Sequence, residues 1–377
     1  MGRKKNGLEL YLHIPFCIKK CDYCDFLSGP STRAGQESYI YALLREIEAV
    51  SKLEKRPVDT VFIGGGTPSV PECDVMEKLL QGLQENFRFS PDAEITIEAN
   101  PGTLTPQKLA LYRKYGINRI SIGLQSPKDE ELKMLGRIHN YEQFLESYQM
   151  ARAAGFSNLN IDLMFAIPGQ SYEGWIENLR MVAELGPEHI SAYSLIVEEG
   201  TPFSRRKLDL PDEDTEYRMY EDVAKVLGEY GYHQYEISNY AKENRECRHN
   251  EGYWQRKDYL GLGLGAASLT GNVRFTNTTD MQEYLEKSGT PELMRKDREF
   301  LTQEDEMAEF MFLGLRMTDG VSKTEFQEYF GTAVEKIYGE VLDKYKRQGM
   351  LVEKDDRIFL SRTGILVSNA VMADFLL

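Results

Sequence analysis

The chain has 377 residues, 41% hydrophobic and 28% charged, which leaves room for one barrel with an appended unit. Its 60 acidic side chains outnumber 45 basic ones, and a formal charge of −15 argues against a nucleic-acid backbone as partner. No apolar run approaches the roughly 18 residues of a membrane span, and the basic start, Met1-Gly2-Arg3-Lys4-Lys5, leads into no apolar leader segment, so the expected location is the cytoplasm.

Strands and helices alternate along the chain. Leu8 to Ile14 reads as a first strand. In Glu37 to Leu53 the spacing of Ile40, Leu43, Leu44, Ile47 and Val50 predicts an amphipathic helix. Val58 to Ile63 is a second strand, stopped by Gly64-Gly65-Gly66. A helix over Val75 to Phe87 and a strand over Ala93 to Ala99 follow, and Pro106 opens another helix at its first turn. Arg119 to Leu124, Leu159 to Met164 and His189 to Ile196 complete six strands. Repeated strand–helix units predict an α/β fold built on a parallel sheet, a partial (β/α)6 TIM-like barrel rather than a complete eightfold one.

Between the first strand and the first helix stand Cys17, Cys21 and Cys24, three of the five cysteines. Thiolates crowded on one loop suit a metal centre. Structural zinc sites and most iron–sulfur clusters take four protein ligands, so three with no near fourth suggest a [4Fe–4S] cluster with one iron open to a small molecule. The competing readings are a zinc site borrowing His13, a disulfide, which the odd count disfavours, and plain buried thiols. At the strand ends lie Gly64-Gly65-Gly66-Thr67-Pro68, Glu98 and Gln125, with Asp162 inside the fifth strand. The glycine run lacks the Lys-Ser/Thr of a phosphate loop. Singly these are turn or capping residues. Jointly, on one rim, they suit a cofactor with amine, carboxylate and ribose groups.

His13-Ile14-Pro15-Phe16-Cys17, the CxxxCxxC loop, the GGGTP turn and the IEANP strand end together resemble radical S-adenosylmethionine proteins. More narrowly, they resemble the oxygen-independent coproporphyrinogen III oxidase family, from about Leu8 to the end of the chain. The resemblance implies that Cys17, Cys21 and Cys24 ligate the [4Fe–4S] cluster, that S-adenosylmethionine chelates the fourth iron, and that it is cleaved reductively. It also implies cofactor contacts from Tyr11, Tyr23, Gly65, Gly66, Thr67, Glu98, Gln125, Arg137 and Asp162. Carboxylates suit ribose hydroxyls or the amine, and the Arg137 fork suits the methionine carboxylate. Ala166 stands where the family usually has glycine.

Within this family the decarboxylating branch carries a further cysteine two residues after the third, and an N-terminal extension. Here Phe26 holds that position and 16 residues precede Cys17. Both features match the haem-chaperone branch. Arg248-His249-Asn250-Glu251-Gly252-Tyr253-Trp254 resembles that branch's HNxxYW motif, which implies haem contacts from His249, Asn250, Tyr253 and Trp254. An imidazole can ligate haem iron, and Tyr253 and Trp254 can stack on a porphyrin. The plainer reading makes His249 a surface-loop histidine and Trp254 a packing residue. Cys247 reads as a buried thiol or an alternative ligand.

Gly261 to Ala266 fits a dinucleotide fingerprint only nominally, outside any strand–helix–strand unit. From Thr302 onward the pattern is helical over Glu304 to Arg316, Lys323 to Phe330 and Val334 to Arg347. A small hairpin follows from Leu351-Val352 to Ile358-Phe359-Leu360, winged-helix-like in outline. The acidic balance counts against nucleic-acid binding by this unit, which is expected to act as a lid over the barrel mouth. The expected organisation is a barrel over 1–235, a connecting segment over 236–300 and a C-terminal domain over 301–377. The expected function is a haem chaperone that delivers haem to acceptor proteins and meets membranes only through them, with its oligomeric state and any catalysis left open. The alternatives are a coproporphyrinogen dehydrogenase and a non-catalytic zinc- or nucleic-acid-binding module.

Overall fold

A computed structural model describes residues 7–377; the basic start, Met1 to Lys5, lies outside the described residues. The chain opens with β1 (Leu8–Ile14), α1 (Arg33–Leu53), β2 (Val58–Gly65), α2 (Cys73–Asn86), β3 (Phe89–Ala99), α3 (Pro106–Lys114) and β4 (Arg119–Gln125). It continues with α4 (Asp129–Met134), α5 (Tyr141–Ala153), β5 (Leu159–Phe165), α6 (Tyr172–Glu184), β6 (His189–Ser194) and α7 (Glu213–Gly228). Strands β1 to β6 pair in sequence order, all parallel, as the alternating pattern predicts. Each strand turns apolar side chains outward to the helices. Leu8, Leu10, Leu12 and Ile14 of β1 are fully buried, packed in one core with Ile40, Leu43 and Ile47 of α1. Burying each such aliphatic side chain contributes about 1.5–3 kcal/mol. The alternate positions, Glu9, Tyr11 and His13 on β1 and their neighbours on β2 to β6, face the concave interior and carry the polar chemistry.

The stretch expected as a connecting segment instead widens the sheet at both edges. β7 (His233–Glu236) and β8 (Asn239–Ala241) form a hairpin beside β6. After α8 (Arg248–Trp254) comes β9 (Tyr259–Leu262), which pairs parallel to β1. Antiparallel β10 (Ala267–Thr270) and β11 (Val273–Asn277) follow, then α9 (Met281–Lys287) and β12 (Arg295–Phe300). The resulting order is β12-β11-β10-β9-β1-β2-β3-β4-β5-β6-β8-β7. The glycines between β9 and β10 make a tight reversal, with Gly263 at φ 108°, and no helix follows, so no dinucleotide site forms. This reversal braces the cluster region: the Leu264 N–H donates to the Tyr39 hydroxyl (3.0 Å), which donates to the His13 carbonyl (2.7 Å).

The chain ends with α10 (Gln303–Gly314), β13 (Val321–Ser322), α11 (Lys323–Phe330), α12 (Val334–Arg347), β14 (Leu351–Lys354), β15 (Arg357–Leu360), α13 (Arg362–Leu366) and α14 (Ser368–Ala373). Helix, short strand, two helices and a hairpin give the winged-helix-like outline, around a separate core that includes Met311, Phe326, Tyr338, Leu342 and Phe375. This unit is not a lid over the barrel mouth. It packs beside α8 and β7, where Thr318 N–H donates to the Tyr235 carbonyl (3.0 Å). Arg256, 2% exposed, joins Glu309 and Glu306 of α10. No described helix is long and apolar enough to cross a membrane.

Candidate functional site

The loop after β1 carries the three cysteines and is pinned at several points. Cys17 N–H donates to the Gly29 carbonyl (3.0 Å), and Asp22 N–H donates to the Leu135 carbonyl (3.1 Å). Arg206 pairs with the Asp22 carboxylate at 2.7 Å. His13 Nε2 reaches the Leu27 carbonyl (2.9 Å), and its Nδ1 shares a hydrogen bond with the Tyr11 hydroxyl (3.0 Å). The glycine turn braces the loop from β2: Gly66 N–H donates to the Ile14 carbonyl (2.8 Å) and Thr67 N–H to that of Phe16 (2.7 Å). A Cβ on Gly66 would lie 2.7 Å from the Phe16 oxygen, so only glycine permits this approach.

One cavity at the C-terminal ends of the strands is lined by Cys17, Cys21, Cys24, Tyr23, Gly65, Gly66, Glu98, Gln125, Arg137 and Asp162. The fold thus brings the three cysteines together with seven of the nine expected cofactor residues. Thr67 lines the adjoining space, and its hydroxyl donates to Cys17 Sγ (3.6 Å). Tyr11 does not line this cavity; its ring faces a cleft on another side of the barrel. Asn100, which the sequence pattern missed although it stands in the IEANP motif, ties the site together. Its Nδ2 donates to Thr67 Oγ1 (2.7 Å), its Oδ1 accepts from Arg137 Nη2 (2.8 Å), and Arg137 Nη1 donates to Cys21 Sγ (3.5 Å). A hydrogen-bond chain thereby links two of the three sulfurs. Arg137 also donates to the Gly123 carbonyl. Both ends of its fork are engaged and only the buried Nε has no partner, so a two-pronged grip on a carboxylate requires exchange of these bonds.

The donor chemistry fits the implied groups. Among the described residues no three His, Cys, Asp or Glu side chains converge tightly enough to hold a single ion. Three thiols on one loop would leave one iron of a [4Fe–4S] cluster open to a small molecule, whereas a structural zinc site takes four protein ligands. The cavity measures 130 Å³, small for cluster and nucleoside together. Its walls include Lys19, Lys20 and Phe26, all exposed and able to swing outward.

Inside the cavity Asp162 accepts from Ser121 Oγ (2.9 Å) and Asn160 Nδ2 (2.7 Å), and Glu98 accepts from Gly65 N–H (3.1 Å). Enclosure and then the Asp162 charge push the Glu98 carboxyl up to about 8. An acid raised in the folded state keeps its proton while the unfolded chain loses its own, so stability falls as pH rises from about 4.5 to 8. Glu98→Gln is expected to flatten that slope and to stabilise the cofactor-free protein at pH 8 by on the order of 2 kcal/mol, read by urea unfolding at pH 5 and pH 8.

The HNxxYW stretch lies at the opposite end of the strands. Helix α8 crosses the barrel floor, its backbone N–H groups at Arg248 and His249 donating to the Glu94 carboxylate (3.2 Å each). His249 is not a surface histidine. It is 1% exposed, its Nδ1 bonded to Thr60 Oγ1 (2.7 Å) and its Nε2 to the Tyr253 hydroxyl (3.0 Å). Burial and then Arg119 pull its imidazole down to about 3, so it is neutral. With both ring nitrogens committed, it can ligate iron only by giving up one of these bonds. Asn250 and Trp254 are half-buried on the same helix. Cys247 is a buried thiol against Glu94 (3.6 Å), as its plainer reading had it. Gly252 lies close against the Glu9 carboxylate, so a side chain here would displace it.

Residues 11–182 match the Radical SAM superfamily, and residues 301–367 match the HemN C-terminal domain. Heme chaperone HemW of Bacillus subtilis (strain 168) is 36% identical over 97% of this chain and 98% of its own length, and that of Escherichia coli (strain K12) is 37% identical over 98% of each. The chain belongs to the HemW family. The solved coproporphyrinogen III oxidase HemN of Escherichia coli, a radical SAM enzyme, superposes with a TM-score of 0.87 over 99% of this chain and 90% of its own, at 25% identity. HemN is thus a fold neighbour and the HemW proteins are the nearer relatives in sequence. Membership of the radical SAM superfamily implies a [4Fe–4S] cluster and S-adenosylmethionine for this HemW-family chain. Ala166 holds a left-handed backbone at φ 56°, a conformation that glycine adopts without a Cβ penalty.

Proposed function

We propose that this chain is a cytoplasmic haem chaperone that binds haem, carries a [4Fe–4S] cluster with S-adenosylmethionine, and passes haem to acceptor proteins. The observation that carries the reading is full-length likeness to several proteins named heme chaperones. Cys17, Cys21 and Cys24 hold the cluster, and Thr67 and Arg137 donate to the Cys17 and Cys21 sulfurs. Glu98, Asp162 and Gln125 take the amine and ribose of S-adenosylmethionine, Gly65 and Gly66 let it approach the backbone, and Tyr23 and Arg137 close its methionine end. Tyr11 acts from behind, through His13, on the loop that carries the cysteines. When bound, the cluster supplies an electron to the sulfonium. Asn250, Tyr253 and Trp254 serve haem, and His249 supports them on α8.

A haem-loaded, anaerobically reconstituted protein is expected to transfer haem to an apo haem protein, followed as the acceptor's own Soret spectrum. Retention of all haem in the presence of acceptor would count against delivery. The HemN superposition favours a second reading, oxidative decarboxylation of coproporphyrinogen. With Phe26 in place of the extra cysteine, anaerobic incubation with that substrate is expected to yield no protoporphyrinogen.

A further inference from the structure

Asn100 directly follows β3, and a clamp behind it fixes its place. The Thr103 hydroxyl donates to the Asn100 carbonyl (2.6 Å), and Ser69 Oγ shares a hydrogen bond with Thr103 Oγ1 (2.6 Å). Lys108, buried on α3, donates from its ammonium to the carbonyls of Ser69 (2.6 Å) and Thr103 (3.3 Å). The turns after β2 and β3 are thereby stapled together, and the Asn100 side chain is presented between Thr67 and Arg137. Its amide has one donating and one accepting end, and both are specified. Arg137 offers only donors, so Oδ1 faces it, while the Thr67 hydroxyl directs its proton at Cys17 Sγ, so Nδ2 faces Thr67. Two donors are thus aimed at thiol sulfurs, Thr67 Oγ1 at 3.6 Å from Cys17 Sγ and Arg137 Nη1 at 3.5 Å from Cys21 Sγ. A reduced cluster carries one more negative charge than an oxidised one, and donors on its thiolates stabilise the reduced form.

We infer that Asn100 is a positioning residue for the cluster, holding Thr67 and Arg137 as donors to two of its thiolates and so raising the potential at which it accepts an electron. The inference deepens the cluster assignment and rests on it. The step concerned is the one-electron reduction of [4Fe–4S]2+ to [4Fe–4S]+ by a low-potential external donor such as dithionite. Aspartate has the same shape as asparagine and would fail in this place. Both its ends accept, so one oxygen would take the Thr67 proton away from Cys17, and its charge would draw the Arg137 guanidinium from Cys21.

Anaerobically reconstituted full-length protein is poised with dithionite over a range of potentials, and the reduced cluster is read by electron paramagnetic resonance. Iron and sulfide per chain are measured on the same samples. At the parent's midpoint, Asn100→Asp is expected to lower the ratio of reduced to oxidised cluster about tenfold, which is about 59 mV for one electron, with iron unchanged. Asn100→Ala, which frees both donors without adding charge, is expected to lower it about threefold. Thr67→Val is expected to do the same, and Thr67→Ser, which keeps the hydroxyl, to restore the parent value. Combined with Thr67→Val, Asn100→Asp should lower the ratio by less than it does alone, because one of its two routes is already cut. A midpoint unmoved by both Asn100 variants at full iron, or equal midpoints for Thr67→Val and Thr67→Ser, would overturn the inference and leave the cluster in place. If the Asn100 variants lose their iron, the Thr67 pair decides. Failure of the parent protein to bind iron and sulfide would overturn the cluster assignment and this inference together.

Discussion

Replacing Cys21 with serine is expected to leave the chain folded and without its cluster. Reconstituted parent protein should carry about four iron and four sulfide per chain, and the variant less than about one. The loop itself should survive, because its anchors are Asp22 with Arg206, His13 with the Leu27 carbonyl, and Cys17 N–H with Gly29, none of which uses the Cys21 sulfur. Cys73→Ser and Cys247→Ser make the matched controls. Cys73 opens α2, and Cys247 lies on the barrel floor against Glu94, so both variants should retain full iron. Iron retained by Cys21→Ser, or lost equally from the two controls, would contradict the three-cysteine site.

The second large effect is expected at Arg256, which lies outside every motif. Its guanidinium is buried between Glu306 and Glu309, and Glu309 also receives Arg274 at 2.6 Å. Removing one cation from a buried ion network leaves carboxylate charge uncompensated and costs about 3 kcal/mol. Arg256→Met should therefore loosen the C-terminal unit from the barrel, seen as an early unfolding step and as faster proteolysis between β12 and α10. Cluster iron should not change, since no residue beyond 300 lines the cluster cavity. A single unfolding transition at the parent midpoint would contradict this role.

The contrast between Cys21 and Arg256 shows which features the sequence made legible. The six parallel strands are buried on their outer side and alternate with polar residues on the inner one, so pattern alone located them. Glu98, Gln125 and Asp162 follow from strand register, because successive parallel strands deliver inward-facing residues to one rim. The sheet edges were not legible: β9 and β10 are four residues each, and β12 is almost wholly exposed, so neither carries a strong period. The position of α8 was hidden for a different reason. It is a seven-residue helix seated by Glu94 and Thr60, partners 155 and 189 residues away along the chain. Local sequence could suggest what His249 might bind, but not that Thr60 and Tyr253 already occupy both its nitrogens. The lid expectation failed similarly, since Arg256 and Glu309 direct the C-terminal unit to the floor and side of the barrel.

Anaerobic titration of the reconstituted protein with haem, followed in the Soret band, tests the central claim most directly. A saturable Soret shift at about one haem per chain, persisting when the cysteine loop is emptied by Cys21→Ser, is the expected result, because α8 and the cysteine loop lie at opposite ends of the strands. No Soret shift with the intact, cluster-loaded protein would contradict the assignment of this chain as a haem chaperone.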